Sequence, residues 1–246
     1  MVHLMETRQT FAQLGIPLPL FEAPAGESPD YLGLEQCSLC GSHGVHCFSV
    51  DDLIASCPQC RFKNAVNTRC QSSVCKSCSH EVPSPASRRD PAVACYRCLQ
   101  AGRAAFAKDT VLGMVTWDQA VEGLTHGIPG LKSADFEVVP AEDDPEWMRA
   151  VVPSHLLLEL VRTPSYVTWQ GEQWQFCCGK PMVYVGEWQE AEFNRHAPDG
   201  DGRALLKNAS INGVDESSWG DLQNIGGPYM FRCKECASLR GHYDMD

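Results

Sequence analysis

The chain has 246 residues, 43% of them apolar and 21% charged, so it carries enough apolar material for a sizeable core and is not disordered throughout. Its formal net charge is −11, and fourteen cysteines are far more than an enzyme of this size ordinarily carries. The cysteines, rather than the charge, indicate what organises the fold.

Ten of the fourteen cysteines stand in Cys-x-x-Cys pairs: Cys37/Cys40, Cys57/Cys60, Cys75/Cys78, Cys95/Cys98 and Cys233/Cys236. Two thiolates separated by two residues close a tight turn on one ion, and a second pair completes a tetrahedron. Regular spacing of this kind points to zinc in a reducing compartment rather than to a disulfide scaffold. The first 24 residues contain no basic run followed by an apolar stretch, and no apolar run reaches the roughly 18 residues of a membrane helix. The expectation is therefore a cytoplasmic protein without a membrane partner.

In chain order, residues 1–36 read as an extended lead-in, with Pro, Gly and acids concentrated between Pro17 and Asp30. Residues 37–108 form a zinc-binding region with little helical periodicity. Within it, the pairs bounding residues 57–78 have the spacing of an independent zinc ribbon. Pro83 to Pro91 is a loop by composition. Cys98 to Ala107 is Ala-rich and predicts a helix leaving directly from a knuckle. Residues 109–246 form the remaining α+β unit, closed by Cys233/Cys236. There, Thr116 and Gln119 have the form of a capping box, for a helix stopped near His126 by Gly127 and Pro129.

Ser154 caps a short apolar helix that Pro164 ends, and Glu142 to Glu146 reads as a solvated acidic turn. Tyr166 to Trp188 alternates aromatic and polar residues and reads as strands, with Trp169, Trp174 and Trp188 in the core. Ala197 to Gly227 is mostly loop by composition, and Tyr229 to Cys233 is a strand delivering the last pair. The fold class is α+β: a zinc-knuckle-organised domain with an inserted ribbon and a mainly antiparallel C-terminal β part.

Four pairs between residues 37 and 98 can combine sequentially, nested or interleaved, and spacing alone does not separate the first two. Cys233/Cys236 needs two more donors. Cys178 is the first candidate, whereas Cys177 beside it demands awkward backbone geometry. Two zinc sites are thus expected, and a third if the C-terminal donors assemble. Cys47 and Cys70 read as small buried residues.

Charge is uneven. Between residues 54 and 108 lie nine Lys/Arg against Glu81 and Asp90, leaving the rest of the chain strongly acidic. One reading is that Arg61, Lys63, Arg69 and Lys76 offset thiolate charge. The other is a polyanion-binding face, which makes a zinc-ribbon nucleic-acid binder the alternative function. Enzymatic signatures are missing: there is no His-Glu-x-x-His, P-loop, Gly-x-Ser-x-Gly or zinc-deaminase pattern. Closed four-thiolate sites hold structure and do not activate water, so no catalytic residue is assigned.

Arg162-Thr-Pro-Ser-Tyr-Val-Thr-Trp169-Gln170, with Trp174, Cys178-Gly179 and Tyr184-Val-Gly186, resembles a motif of the CbrC family of bacterial colicin-tolerance proteins. Cys37-Ser-Leu-Cys40-Gly41, Cys95-Tyr-Arg-Cys98 through Phe106, and Phe231-Arg-Cys233-Lys-Glu-Cys236 are similar to three further segments of that family. The stretch from Cys47 to Asp90 has no counterpart in that pattern. The resemblance therefore implies nested pairing, Cys37/Cys40 with Cys95/Cys98 around an inserted ribbon. At the position of Cys177 the family tends to have His, which keeps Cys177 a candidate ligand. It further implies toxin tolerance or immunity, with a protein toxin, presumed basic from this chain's charge, as the main partner.

Overall fold

In the computed structural model the described residues are 8–50, 52–67, 72–83, 92–142, 144–211, 214–222 and 226–244. Cys70, Arg69 and the predicted loop from residue 84 to 91 lie outside them. The strands of the first half are β1 (Tyr31–Glu35), β2 (Val45–Val50), β3 (Asp52–Ser56), β4 (Lys63–Asn67), β5 (Ser72–Val74), β6 (Glu81–Pro83) and β7 (Ala92–Cys95). Then come α1 (Tyr96–Gln100), β8 (Ala104–Ala105), α2 (Trp117–Glu122), β9 (Ile128–Pro129), β10 (Val138–Pro140), β11 (Trp147–Ala150) and α3 (Ser154–Leu160). The last part holds β12 (Phe176–Cys177), β13 (Lys180–Pro181), β14 (Val183–Glu187), α4 (Glu190–His196), α5 (Gly202–Asn208), β15 (Ser210–Ile211), β16 (Tyr229–Arg232) and β17 (Leu239–His242).

The class is α+β. Pairing is antiparallel throughout the named strands except between β15 and β17. Strand β2 lies between β1 and β7, and Val50 faces Ala92 in register. The chain therefore leaves this sheet at Val50 and returns beside its point of departure. Between the two, β3–β4 and β5–β6 form hairpins around a small core of Cys57, Val66, Cys75 and Val82. The ribbon is stitched to the body where Asp52 and Leu53 pair with Ala105 and Ala104 of β8.

One large core runs from Phe11 to Cys233. The N-terminal lead-in belongs to it: Phe11, Ile16 and Phe21 are buried although the segment is mostly irregular, and Phe11 packs edge-on against Phe21 and Tyr31. At the other end Tyr166 stacks on Tyr184 with ring centres 4.5 Å apart, and both meet Phe231. A separate core under α4 and α5 gathers Trp188, Phe193 and Leu206.

Several boundaries differ from expectation. Helix α1 stops after one turn because Gly102 takes a left-handed conformation (φ +61°), where α1 gives way to β8. The capping box of Thr116 and Gln119 is present, but α2 ends at Gly123, four residues before Gly127. Gly123 has φ +74°, and a Cβ there would come within 2.9 Å of the Val152 carbonyl. Pro153, not Ser154, is the N-cap of α3, so Ser154 is its first helical residue. The stretch read as loop from Ala197 to Gly227 contains α5, with Asp201 accepting from Ala204 N at its N-terminus. Trp169 is 93% exposed rather than core, while Trp174 and Trp188 are buried.

Candidate metal centres

Four of the Cys-x-x-Cys pairs adopt one backbone pattern. The N–H of the first cysteine donates to the carbonyl five residues on: Cys37 to Ser42 (2.9 Å), Cys57 to Phe62 (2.8 Å), Cys75 to His80 (2.8 Å) and Cys233 to Ser238 (2.9 Å). The residue four positions on returns a bond from its N–H to the first cysteine's carbonyl: Gly41, Arg61, Ser79 and Ala237. Each returning residue sits in the left-handed region, with φ +73°, +66°, +59° and +58°. Three of the four are not glycine, so the closed turn overrides a preference that costs roughly 1–3 kcal/mol.

The fifth pair is built differently. Cys95 is the N-cap of α1 and Cys98 lies in its first turn, where unpaired helix N–H groups favour negative charge. The Cys95 amide also donates to Cys37 Sγ at 3.3 Å, and Arg103 Nη1 to Cys98 Sγ at 3.6 Å.

The structure brings these pairs together as nested sets. Cys37, Cys40, Cys95 and Cys98 form the outer cluster, and Cys57, Cys60, Cys75 and Cys78 the ribbon cluster. Cys177, Cys178, Cys233 and Cys236 form a third. Within each cluster all four sulfurs lie within 4.8 Å of one another. Close separations are 3.8 Å for Cys37–Cys98, 3.7 Å for Cys40–Cys95, and 3.6 Å for both Cys57–Cys78 and Cys60–Cys75. In the third cluster Cys178–Cys236 is 3.6 Å and Cys177–Cys236 is 3.7 Å. A tetrahedral metal with metal–sulfur bonds of about 2.3 Å places its ligands about 3.8 Å apart. A disulfide would bring two sulfurs to about 2.05 Å, and the described cysteines form none. The donor sets fit metal ions.

Cys177 is the ligand that residue spacing placed second to Cys178. The two neighbours serve one centre because β12 and β13 are joined by a two-residue hairpin turn, Cys178-Gly179, with φ +52° and +72°. Positive φ at both central residues is the I′ type that matches strand twist. It leaves Cys177 at the strand end and Cys178 in the turn, with their sulfurs 3.7 Å apart. The Cys-Gly dipeptide after an aromatic strand is the local signal for that turn.

Each cluster contains at least one thiol that ionises readily, and in the ribbon cluster backbone hydrogen bonds lower Cys57 as well as Cys75. Hydrogen bonding by Ser42 holds Cys40 down at about 6, and Ser238 does the same for Cys236. Burial works against Cys75, yet the backbone N–H groups of Ser77 and Cys78, with Asn64, bring it to about 6. Cys178 is pushed up to about 12 by hydrogen bonding with Cys236 and Cys177. Four thiols this close cannot all ionise without a cation, and an ion held among them would draw off the remaining protons. Buried Cys47, raised to about 12 by desolvation, stays a thiol beside the outer cluster and lies in none of the three sets.

Four of the six described cations of the basic window have partners within the molecule. Lys63 donates to the Ala101 and Gly102 carbonyls at the end of α1, Lys76 pairs with Asp118, and Arg103 donates to the Leu39 carbonyl. Lys108 is fully buried. No helix among the described residues is long and apolar enough to cross a membrane.

A match to an uncharacterised protein family, UPF0167, spans residues 61–245. It takes in Cys75/Cys78 and every later cysteine and begins after Cys37, Cys40, Cys57 and Cys60. A UPF0167 protein of Pseudomonas aeruginosa is 27% identical over 124 residues, covering 48% of this chain and 65% of that protein. The chain thus spans just under two thirds of that relative's length. No solved structure matches it.

Proposed function

We propose that this chain, which belongs to the uncharacterised family UPF0167, is a non-catalytic immunity or tolerance protein that binds and neutralises a bacterial protein toxin. The observation that carries the non-catalytic part is closure. Each centre gathers four thiols around one point, so a bound ion has its full tetrahedron and no position for water or substrate. All-sulfur tetrahedral sets suit zinc, with iron as the other common occupant. Three zinc ions then act as staples that set loops and strand ends in place. The toxin-directed part rests on the resemblance of the Arg162–Gly186, Cys95–Phe106 and Phe231–Cys236 segments to colicin-tolerance proteins. It also rests on a net charge of −11, which speeds encounter with a basic protein.

The nucleic-acid alternative draws less support, because Lys63, Lys76, Arg103 and Lys108 are bound within the molecule. Among the described residues of that window, Arg61 and Arg97 are the exposed cations with no such bond. The test is a tagged pull-down from the producing bacterium, washed with nuclease at two salt concentrations and read by mass spectrometry. One stoichiometric protein surviving both washes supports the proposal. Nucleic acid lost on nuclease treatment moves the function to the ribbon.

A further inference from the structure

Residues 167–171 form a tight loop that carries Trp169 at its tip. Trp169 is 93% exposed and Val167 48%, an unusual outlay of apolar surface for one short loop. The loop is nevertheless held at both ends and beneath. Val167 N donates to the Glu27 carbonyl at 2.8 Å. The Asp244 carboxylate accepts from Trp169 N at 2.6 Å, from Gln170 N at 3.3 Å and from the Thr168 hydroxyl at 3.0 Å. Tyr229 Oη donates to the same carboxylate, and His242 lies 3.2 Å away. Gly171 N donates to Thr168 Oγ1, closing the turn. A large aromatic presented on a fixed frame loses little conformational freedom on binding, which is what an interface anchor requires.

Beside the loop is a recess of about 370 Å³, whose walls include Val167 and Thr168 on one side and Asp109, Ser165 and Glu172 on the other. Asp109 is exposed, and Asp30 lies behind, accepting from Ser165 N. Lys108 is sealed beneath by Ser165 and Glu172 with no exposed surface. This face shows solvent the apolar side chains of Trp169 and Val167 next to the carboxylate of Asp109.

From these observations we infer that the Trp169 loop and its recess are the docking face for a basic protein segment. An arginine or lysine side chain enters toward Asp109 while a neighbouring apolar side chain lies on Trp169. The inference rests on the partner-binding reading above and names the surface that does the binding. Charge selects this occupant. Asp109 repels phosphates and anionic lipids, and a second copy joined symmetrically through this face would oppose like charges.

The experiment pans a random twelve-residue phage-displayed peptide library on the full-length, zinc-loaded protein, with counter-selection on Trp169→Ala. That side chain is exposed, so its removal leaves the core intact. Enriched peptides carry Arg or Lys beside an aliphatic or aromatic residue. The synthetic peptide binds at least about 30-fold more weakly to Trp169→Ala. Binding also weakens for Asp109→Asn and falls with added salt. Peptides without basic residues, or binding both proteins alike, overturn the inference. So does sedimentation showing a wild-type dimer that Trp169→Ala dissociates. Pull-downs with wild type and Trp169→Ala separate the two levels. A protein retained by both overturns this surface and leaves partner binding standing, whereas none retained by either removes both.

Discussion

Replacing Lys108 by Met tests the physical account of the ground beneath that recess. The lysine stem is fully buried, and its Nζ donates to Ser165 Oγ at 2.8 Å and to Glu172 Oε2 at 3.4 Å. It also lies 5.0 Å from the Phe106 ring centre and 5.6 Å from that of Trp174. Met preserves most of the stem's packing and strands the carboxylate. Glu172, 11% exposed, keeps Trp174 Nε1 as a donor at 2.8 Å. Leaving one charge of a buried pair uncompensated costs about 3–5 kcal/mol.

Glu172 escapes part of that cost by taking a proton. Burial already raises its pKa, with Lys108 opposing, and loss of Lys108 raises it further. A carboxyl whose folded pKa lies above its unfolded value adds stability at low pH and loses it as pH rises through the folded pKa. The penalty of Lys108→Met is therefore smaller at acidic pH than at alkaline pH. At about 2–4 °C per kcal/mol for a chain of this size, the full penalty lowers Tm by about 6–20 °C. Thermal melts of zinc-loaded wild type and variant, paired at each pH with excess zinc, measure the difference directly. The double variant Lys108→Met/Glu172→Gln removes the stranded charge and recovers most of the loss at pH 8.5. A deficit independent of pH, or unrescued by the second change, refutes the reasoning.

Elemental analysis of protein purified without added metal gives three zinc per chain, and Cys177→Ser gives two. Three zinc in that variant would exclude Cys177 from the third centre. Because the outer and ribbon clusters are nested, Cys37→Ser/Cys95→Ser loses one zinc and Cys37→Ser/Cys57→Ser loses two. Loss of one ion from the latter would restore sequential pairing. Asp244→Ala releases the amides of Trp169 and Gln170, so hydrogen exchange in residues 168–171 accelerates while the Tyr184 region is unchanged. Equal exchange in both proteins would show that the loop needs no such frame.

What could be read from the residues follows the range of the interactions involved. The Cys-x-x-Cys turns are local, closing within six residues, and were legible as metal knuckles. The Thr116–Gln119 capping box is equally local, whereas the stop at Gly123 depends on the Val152 carbonyl pressing from another segment. Trp169 lies in a run of alternating aromatics and so read as a core strand. Its exposure depends on Asp244, 75 residues away, which turns the chain outward. Helix α5 was hidden inside a stretch rich in Gly, Asp and Asn, and α4 lies just before it in a short segment without that bias. Their signals were the capping residues Gln189 with Glu192, and Asp201. Partnering of the outer cysteines spans 55 residues from Cys40 to Cys95, beyond any spacing rule.

That long span bears on the order of assembly. Closing a flexible loop costs entropy that grows as about (3/2)RT ln n, so the 55-residue closure at the outer centre is dearer than the 15-residue closure from Cys60 to Cys75. An ion held first by Cys57, Cys60, Cys75 and Cys78 would tie the two hairpins together, and the outer cysteines would then meet across a shorter effective tether. Val50 and Ala92, facing each other at the base, mark where that tether is cinched. Connectivity thus sets an order for metal supply: an inner ion would prepare the ground on which an outer one is captured.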